Sequence, residues 1–202
     1  SLNNQPTAQF YRVNVDQQFP YKVYGGQQDN TSVIISSRNN GIGLTDKDWS
    51  VGPGCESAFV AFDPKNPILL YGGCYQGGIS VLNTVDGHSK EITQYPANIL
   101  ALQPKNMKYR YNWNAPLIAS PHDPKVIYHA AQVVFKTMDG GLTWSKISTD
   151  LTRNDTLKQD LGGAPITNEG AGGENYNTIS YLIESTLEKG VMYAGSDCGL
   201  VH

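Results

Sequence analysis

The chain has 202 residues, enough for one domain with a sizeable core. Its 21 Gly, 11 Pro and 12 Tyr, with only 16% charged residues, describe a turn-rich, all-β protein. A net charge of -3 with scattered Lys and Arg leaves no basic face for nucleic acid or an anionic membrane, and no apolar run nears the roughly 18 residues of a spanning helix.

The first nine residues have neither the basic start nor the apolar core of a signal peptide, so the chain is expected to be soluble and already processed or truncated. The first predicted unit spans about 9–54. Its core is the segment 21–26, an aliphatic and aromatic run through Tyr24 that ends in two glycines. The turn Leu44–Trp49 closes it.

A second unit, about 55–97, follows a Gly-rich turn. Residues 57–62 are almost wholly small or apolar, the mark of a strand buried on both faces. Asp63-Pro64 breaks that strand. The segment 68–73 then repeats the pattern of 21–26 around Tyr71, a third strand is predicted over 78–82, a turn over 83–87, and a more polar fourth strand over 91–95.

The order recurs in a third unit, about 112–151. An apolar strand covers 115–120, Asp123-Pro124 breaks it, Tyr128 lies in the segment 126–131, and further strands follow over 133–136 and 144–147. A fourth unit, about 176–202, has its apolar strand over 178–183 and Tyr193 in the segment 190–195, and the chain ends during its third strand. The four tyrosines stand 47, 57 and 65 residues apart, slightly more than the usual propeller blade repeat of about 40–50.

An inner apolar strand followed by progressively more polar ones is a β-propeller blade. The expected fold is therefore all-β, a β-propeller of four-stranded antiparallel blades with about three and a half blades present. Ring closure usually takes four to eight blades. A partial ring is expected, with the remainder of a longer chain or a second copy completing it.

The turn between the third and fourth strands of the third unit is the most specific motif. Thr137, Asp139, Gly141, Thr143 and Trp144 match S/T-x-D-x-G-x-T-W, the Asp-box, at every fixed position. A short Asp side chain accepts backbone N–H groups of the turn, glycine allows positive φ, and Trp packs on the blade. These five residues are read as a structural clip at the blade periphery, not as a catalytic set.

With this motif the chain resembles the Asp-box (BNR-repeat) propellers related to the sortilin N-terminal domain, a group with many bacterial glycosyl-hydrolase-like proteins. The phrases 13–21, 24–30, 120–124, 150–155 and 194–202 are similar to recurrent ones of that group, and the resemblance extends over nearly the whole chain. Members are usually far longer, so this chain looks like a fragment of one. The resemblance implies a secreted protein, extracellular or periplasmic, that handles glycans or peptides.

Segments leading into inner strands line one mouth of a propeller channel. Glu56 and Glu174 are the candidate catalytic pair for glycoside hydrolysis, which needs two carboxylates flanking the sugar. Trp113, Asn114, Tyr176 and Asn177 are the candidate ligand-binding residues, the aromatic rings offering stacking platforms. The competing reading of Glu56 and Glu174 is that each accepts backbone N–H groups in its Gly-rich turn, and Asp29 and Asp197, at equivalent repeat positions, read as turn residues.

No metal is assigned, because His88, His122, His129 and His202 form no ligand-spaced pair. No cofactor is implied either, since the glycines at 170–173 lack the ending of a phosphate loop. Cys55, Cys74 and Cys198 are read as isolated buried thiols, and the sequons at Asn30 and Asn154 are glycosylation sites only on a eukaryotic secretory route. The expected function is carbohydrate binding or hydrolysis at the channel mouth, with a non-catalytic, sortilin-like peptide-binding or scaffold module as the alternative.

Overall fold

The computed structural model describes residues 7–99, 102–160 and 175–202. The first sheet holds β1 (Phe10–Val15), β2 (Lys22–Gln27), β3 (Ser32–Ser36) and β4 (Trp49–Val51); the second holds β5 (Val60–Ala61), β6 (Leu69–Gly73), β7 (Ile79–Asn83) and β8 (Ser89–Glu91). The third comprises β9 (Leu117–Ala119), β10 (Ile127–Ala130), β11 (Val134–Thr137) and β12 (Ser145–Lys146). The last pairs β13 (Ile179–Glu184) with β14 (Met192–Ser196), and Val201 bridges to Gly195 where a third strand would lie.

Every pairing is antiparallel between sequence neighbours, so each sheet is a meander. The first strands of successive sheets touch, β1 against β5, β5 against β9 and β9 against β13. The last strands, β4, β8 and β12, are exposed along their length. Inner strands side by side with polar strands outward is the radial plan of a propeller, and the chain is an all-β, partial β-propeller.

The repeated tyrosine has a packing role. Tyr24 lies in the apolar cluster between the first two blades with Ile34, Val60, Phe62 and Leu70. Tyr71 does the same between blades two and three, beside Phe59, Ile92, Leu117 and Ile127, and Tyr128 between blades three and four, beside Ile179 and Leu182. Each ring therefore covers its own sheet and reaches the next, whereas Tyr193 in the last sheet is 54% exposed.

One strand is displaced from its expected position. The fourth strand of blade two pairs over Ser89–Glu91 instead of 91–95, because the turn at Asp86 and Gly87 starts the return earlier. Ile92, just past that strand, still donates its N–H to the Ile79 carbonyl at 2.9 Å; its side chain is buried, and its carbonyl accepts the indole N–H of Trp144 at 3.0 Å.

The thiol reading is corrected for two of the three cysteines. Cys55 and Cys74 form a disulfide, with Cα atoms 5.0 Å apart. The Cys55 backbone N–H donates to the Gly73 carbonyl, which lays the loop before β5 on the end of β6 and brings the two sulfurs together. Nothing in local spacing announces that contact. Cys198 is free and buried.

The Thr137–Trp144 turn is a closed hydrogen-bonded unit. Asp139 accepts from the Thr143 hydroxyl at 2.6 Å, the Thr143 N–H at 2.9 Å and the Thr137 hydroxyl at 2.8 Å. The Thr143 hydroxyl foremost, then these other donors, hold the Asp139 carboxyl down at about 2. Gly141 has φ 88, and a Cβ there would lie 2.5 Å from Ile92 Cδ1, so glycine is required for both conformation and contact with blade two.

His129 is wholly buried on β10, stacked on Tyr111 at 5.1 Å, and its Nδ1–H donates to the Pro116 carbonyl at 2.9 Å. Burial depresses its pKa to about 4. An unfolded histidine titrates near 6.5, so between about 6.5 and 4 the unfolded chain binds the extra proton. Stability from this group is full above pH 6.5 and is lost as pH falls toward 4. The melting temperature of the wild type should therefore drop over that window more steeply than that of His129→Gln, and parallel curves would refute the assignment.

Candidate functional site at the channel mouth

In an antiparallel meander the segment before each inner strand lies at the same end as the turn between the second and third strands. That end gathers the loops 52–59, 107–116 and 175–178 with the turns at 28–31, 74–78 and 197–199. Among the described residues no helix is long and apolar enough to cross a membrane, and no three His, Cys, Asp or Glu side chains gather to hold a metal ion.

Trp113 stacks on Tyr75, with ring centroids 5.0 Å apart and planes 9° from parallel. Its indole N–H donates to the Tyr11 hydroxyl on β1 at 3.0 Å. Three blades thus meet in one aromatic group: Tyr11 from blade one, Tyr75 from blade two, and Trp113 from the approach to blade three. Tyr75 is 37% exposed and Trp113 partly so.

Glu56 lies beside the Cys55–Cys74 disulfide. Its Oε2 accepts from the Asp29 N–H at 2.6 Å and from the Gln28 side-chain amide at 3.0 Å. Asp29 itself stands at φ 57, and the carboxylate fixes that turn from across the blade boundary. Asn114 donates from Nδ2 to the Ser57 carbonyl at 3.1 Å, tying the approach to blade three onto that of blade two. Glu174 lies outside the described residues, and so does the glycine stretch at 170–173.

The blade-four side is organised by Arg110. Its Nη2 pairs with Asp150 Oδ2 at 2.8 Å, and its Nε donates to the Asn177 carbonyl at 3.2 Å. Asn177 is fully buried at φ 62, and its Oδ1 accepts from the Asp155 N–H, so it shapes the loop from within. Tyr176 is partly exposed, with the Lys158 ammonium 5.9 Å from its ring centroid. Asp197 accepts from both the N–H and the hydroxyl of Thr178; burial, the largest influence, raises its carboxyl pKa against those bonds.

Below the mouth the four inner strands line a half-open cavity of about 470 Å³. Arg12 crosses it, with its guanidinium 5.2 Å from the Phe59 ring centroid and 5.3 Å from that of Tyr181. The structure brings Trp113 and Asn114 to the same rim as Glu56, and sets Tyr176 and Asn177 apart beside Arg110. Tyr11, Tyr75, Arg12 and Arg110 escaped sequence reasoning. Tyr75 alone had a local signal, an aromatic residue inside a Gly-rich turn.

Fold and mouth together define the class: a β-propeller whose blades meet in an aromatic rim. No protein-family model matches the chain, and no curated protein matches it. Among solved structures it is similar to the GH74 xyloglucanase from Xanthomonas campestris, at 15% identity and a TM-score of 0.42, over 65% of this chain and 19% of that one. The chain thus matches about a fifth of that protein's length.

Proposed function

We propose that this chain is an Asp-box (BNR-repeat) propeller of the sortilin-related, glycosyl-hydrolase-like kind that binds carbohydrate at the channel mouth. The Tyr75–Trp113 stack carries the reading: flat, partly exposed rings held by a third residue are the surface on which the C–H face of a pyranose packs. The closed Thr137–Trp144 turn supports the kinship. The disulfide supports an extracellular or periplasmic location, because such bonds persist in oxidising compartments.

Binding is favoured over hydrolysis because the Glu56 carboxylate already serves the Asp29 turn. Titration calorimetry against neutral oligosaccharides tests the reading. Trp113→Ala should weaken binding about tenfold, the loss of one stacked ring. Glu56→Gln, which keeps an acceptor for the turn, should leave affinity unchanged. Absence of any oligosaccharide binding, with peptides bound instead, would replace this reading by the peptide-binding one.

A further inference from the structure

Next to the Tyr75–Trp113 stack lies a smaller hollow of about 190 Å³, with Gln76, Tyr95, Lys108 and Tyr109 on its polar side and an apolar floor that includes Ile99 and Met107. It is contiguous with the mouth along two chain segments: Gln76 follows Tyr75, and Tyr111 stands two residues before Trp113.

Gln76 is held at φ 61 and ψ 17, the left-handed region that glycine occupies at no steric cost. Such strain in a non-glycine residue is a pointer to function when the side chain has somewhere to reach. The Gln76 amide has no hydrogen-bond partner among the described residues and borders the hollow. Both its donors and its acceptor are therefore open to a ligand.

Lys108 supplies charge. Its ammonium sits 4.4 Å from the Tyr95 ring centroid and 5.4 Å from that of Tyr109. Among the described residues Lys105, Lys158 and Arg110 each pair with an aspartate, and Lys108 pairs with none. Tyr109 is locked edge-on between Tyr95 and Phe135, while Tyr95 is 41% exposed. A half-exposed tyrosine, a free amide and an ammonium with no carboxylate partner around one small hollow suit a pyranose bearing a negative charge.

We propose that this hollow is a second sugar subsite, taking an anionic sugar residue, a uronate or a sulfate ester, of a chain whose neutral neighbour lies on the Tyr75–Trp113 stack. The inference rests on the carbohydrate reading of the mouth.

Calorimetry at low salt with a neutral oligosaccharide, a uronate-containing one and a sulfated one of equal length tests it. At least one anionic ligand should bind about tenfold tighter than the neutral one, and which one gains identifies the anion. Lys108→Ala and Gln76→Gly should each abolish the gain. Gln76→Gly should melt at the wild-type temperature or above it, because glycine relieves the strain. Equal affinity for all three ligands, or a gain that survives Lys108→Ala, overturns the proposal. Should no oligosaccharide bind, the mouth reading fails by itself. The subsite is then judged by nuclear magnetic resonance with free glucuronate and a sulfated monosaccharide, where a Gln76 side-chain amide that shifts with neither overturns it.

Discussion

Replacing both Cys55 and Cys74 by Ser should lower the unfolding free energy by about 3 kcal/mol, the loop-closure contribution of a cross-link spanning 19 residues. The bond joins the loop before β5 to the end of β6, where Gly54 already approaches so closely that a Cβ would overlap the Gly73 carbonyl. Freed of the link, that loop regains conformations otherwise denied to the unfolded chain. Urea denaturation with and without a dithiol reads the difference, and values within 1 kcal/mol of each other would count against it. Thiol titration in denaturant gives an independent check, one thiol before reduction and three after, since Cys198 alone is free. Reduction should also disturb the mouth, because Glu56 and Tyr75 each adjoin a bridged cysteine.

Trp144→Ala should cost about 3 kcal/mol, toward the low end for a large aromatic because the ring is only partly buried. Trp144 packs against the cluster shared by blades two and three and against the one formed by Tyr111, Val133 and Phe135. Its N–H also satisfies the Ile92 carbonyl. Trp144→Phe keeps most of the packing and loses that bond, so about 1 kcal/mol is expected. Equal effects of the two substitutions would mean that the hydrogen bond, not the ring volume, joins the blades.

Much of the fold was legible along the chain. The continuous apolar stretch 57–62 marks a strand covered on both faces, and Asp63-Pro64 marks its end. The stretch 178–183, by contrast, forms an inner strand whose Tyr181 and Ile183 stay exposed on one face, because no further blade among the described residues covers them. The Thr137–Trp144 turn was equally readable, since the hydrogen bonds that Thr137, Asp139, Gly141 and Thr143 make with one another span at most four positions. The site was legible only in part. Trp113 and Asn114 were found because loops before inner strands must lie at one end of a propeller. Glu56 was found too, but its partners in the Asp29 turn stand 27 and 28 residues away, and that contact gives its carboxylate to the turn.

By itself the sequence determined the strand order, the breakers between strands and the repeated tyrosine, because alternation, turn chemistry and β-propensity act over a few residues. Only the tertiary structure decided that Tyr24, Tyr71 and Tyr128 fill the gap to the next blade, that Cys55 meets Cys74, and that Trp113 meets Tyr75 and, 102 residues away, Tyr11. Those contacts depend on how far each sheet turns about the common axis. That rotation is set by the summed packing between neighbouring sheets, a quantity carried by no short stretch of chain.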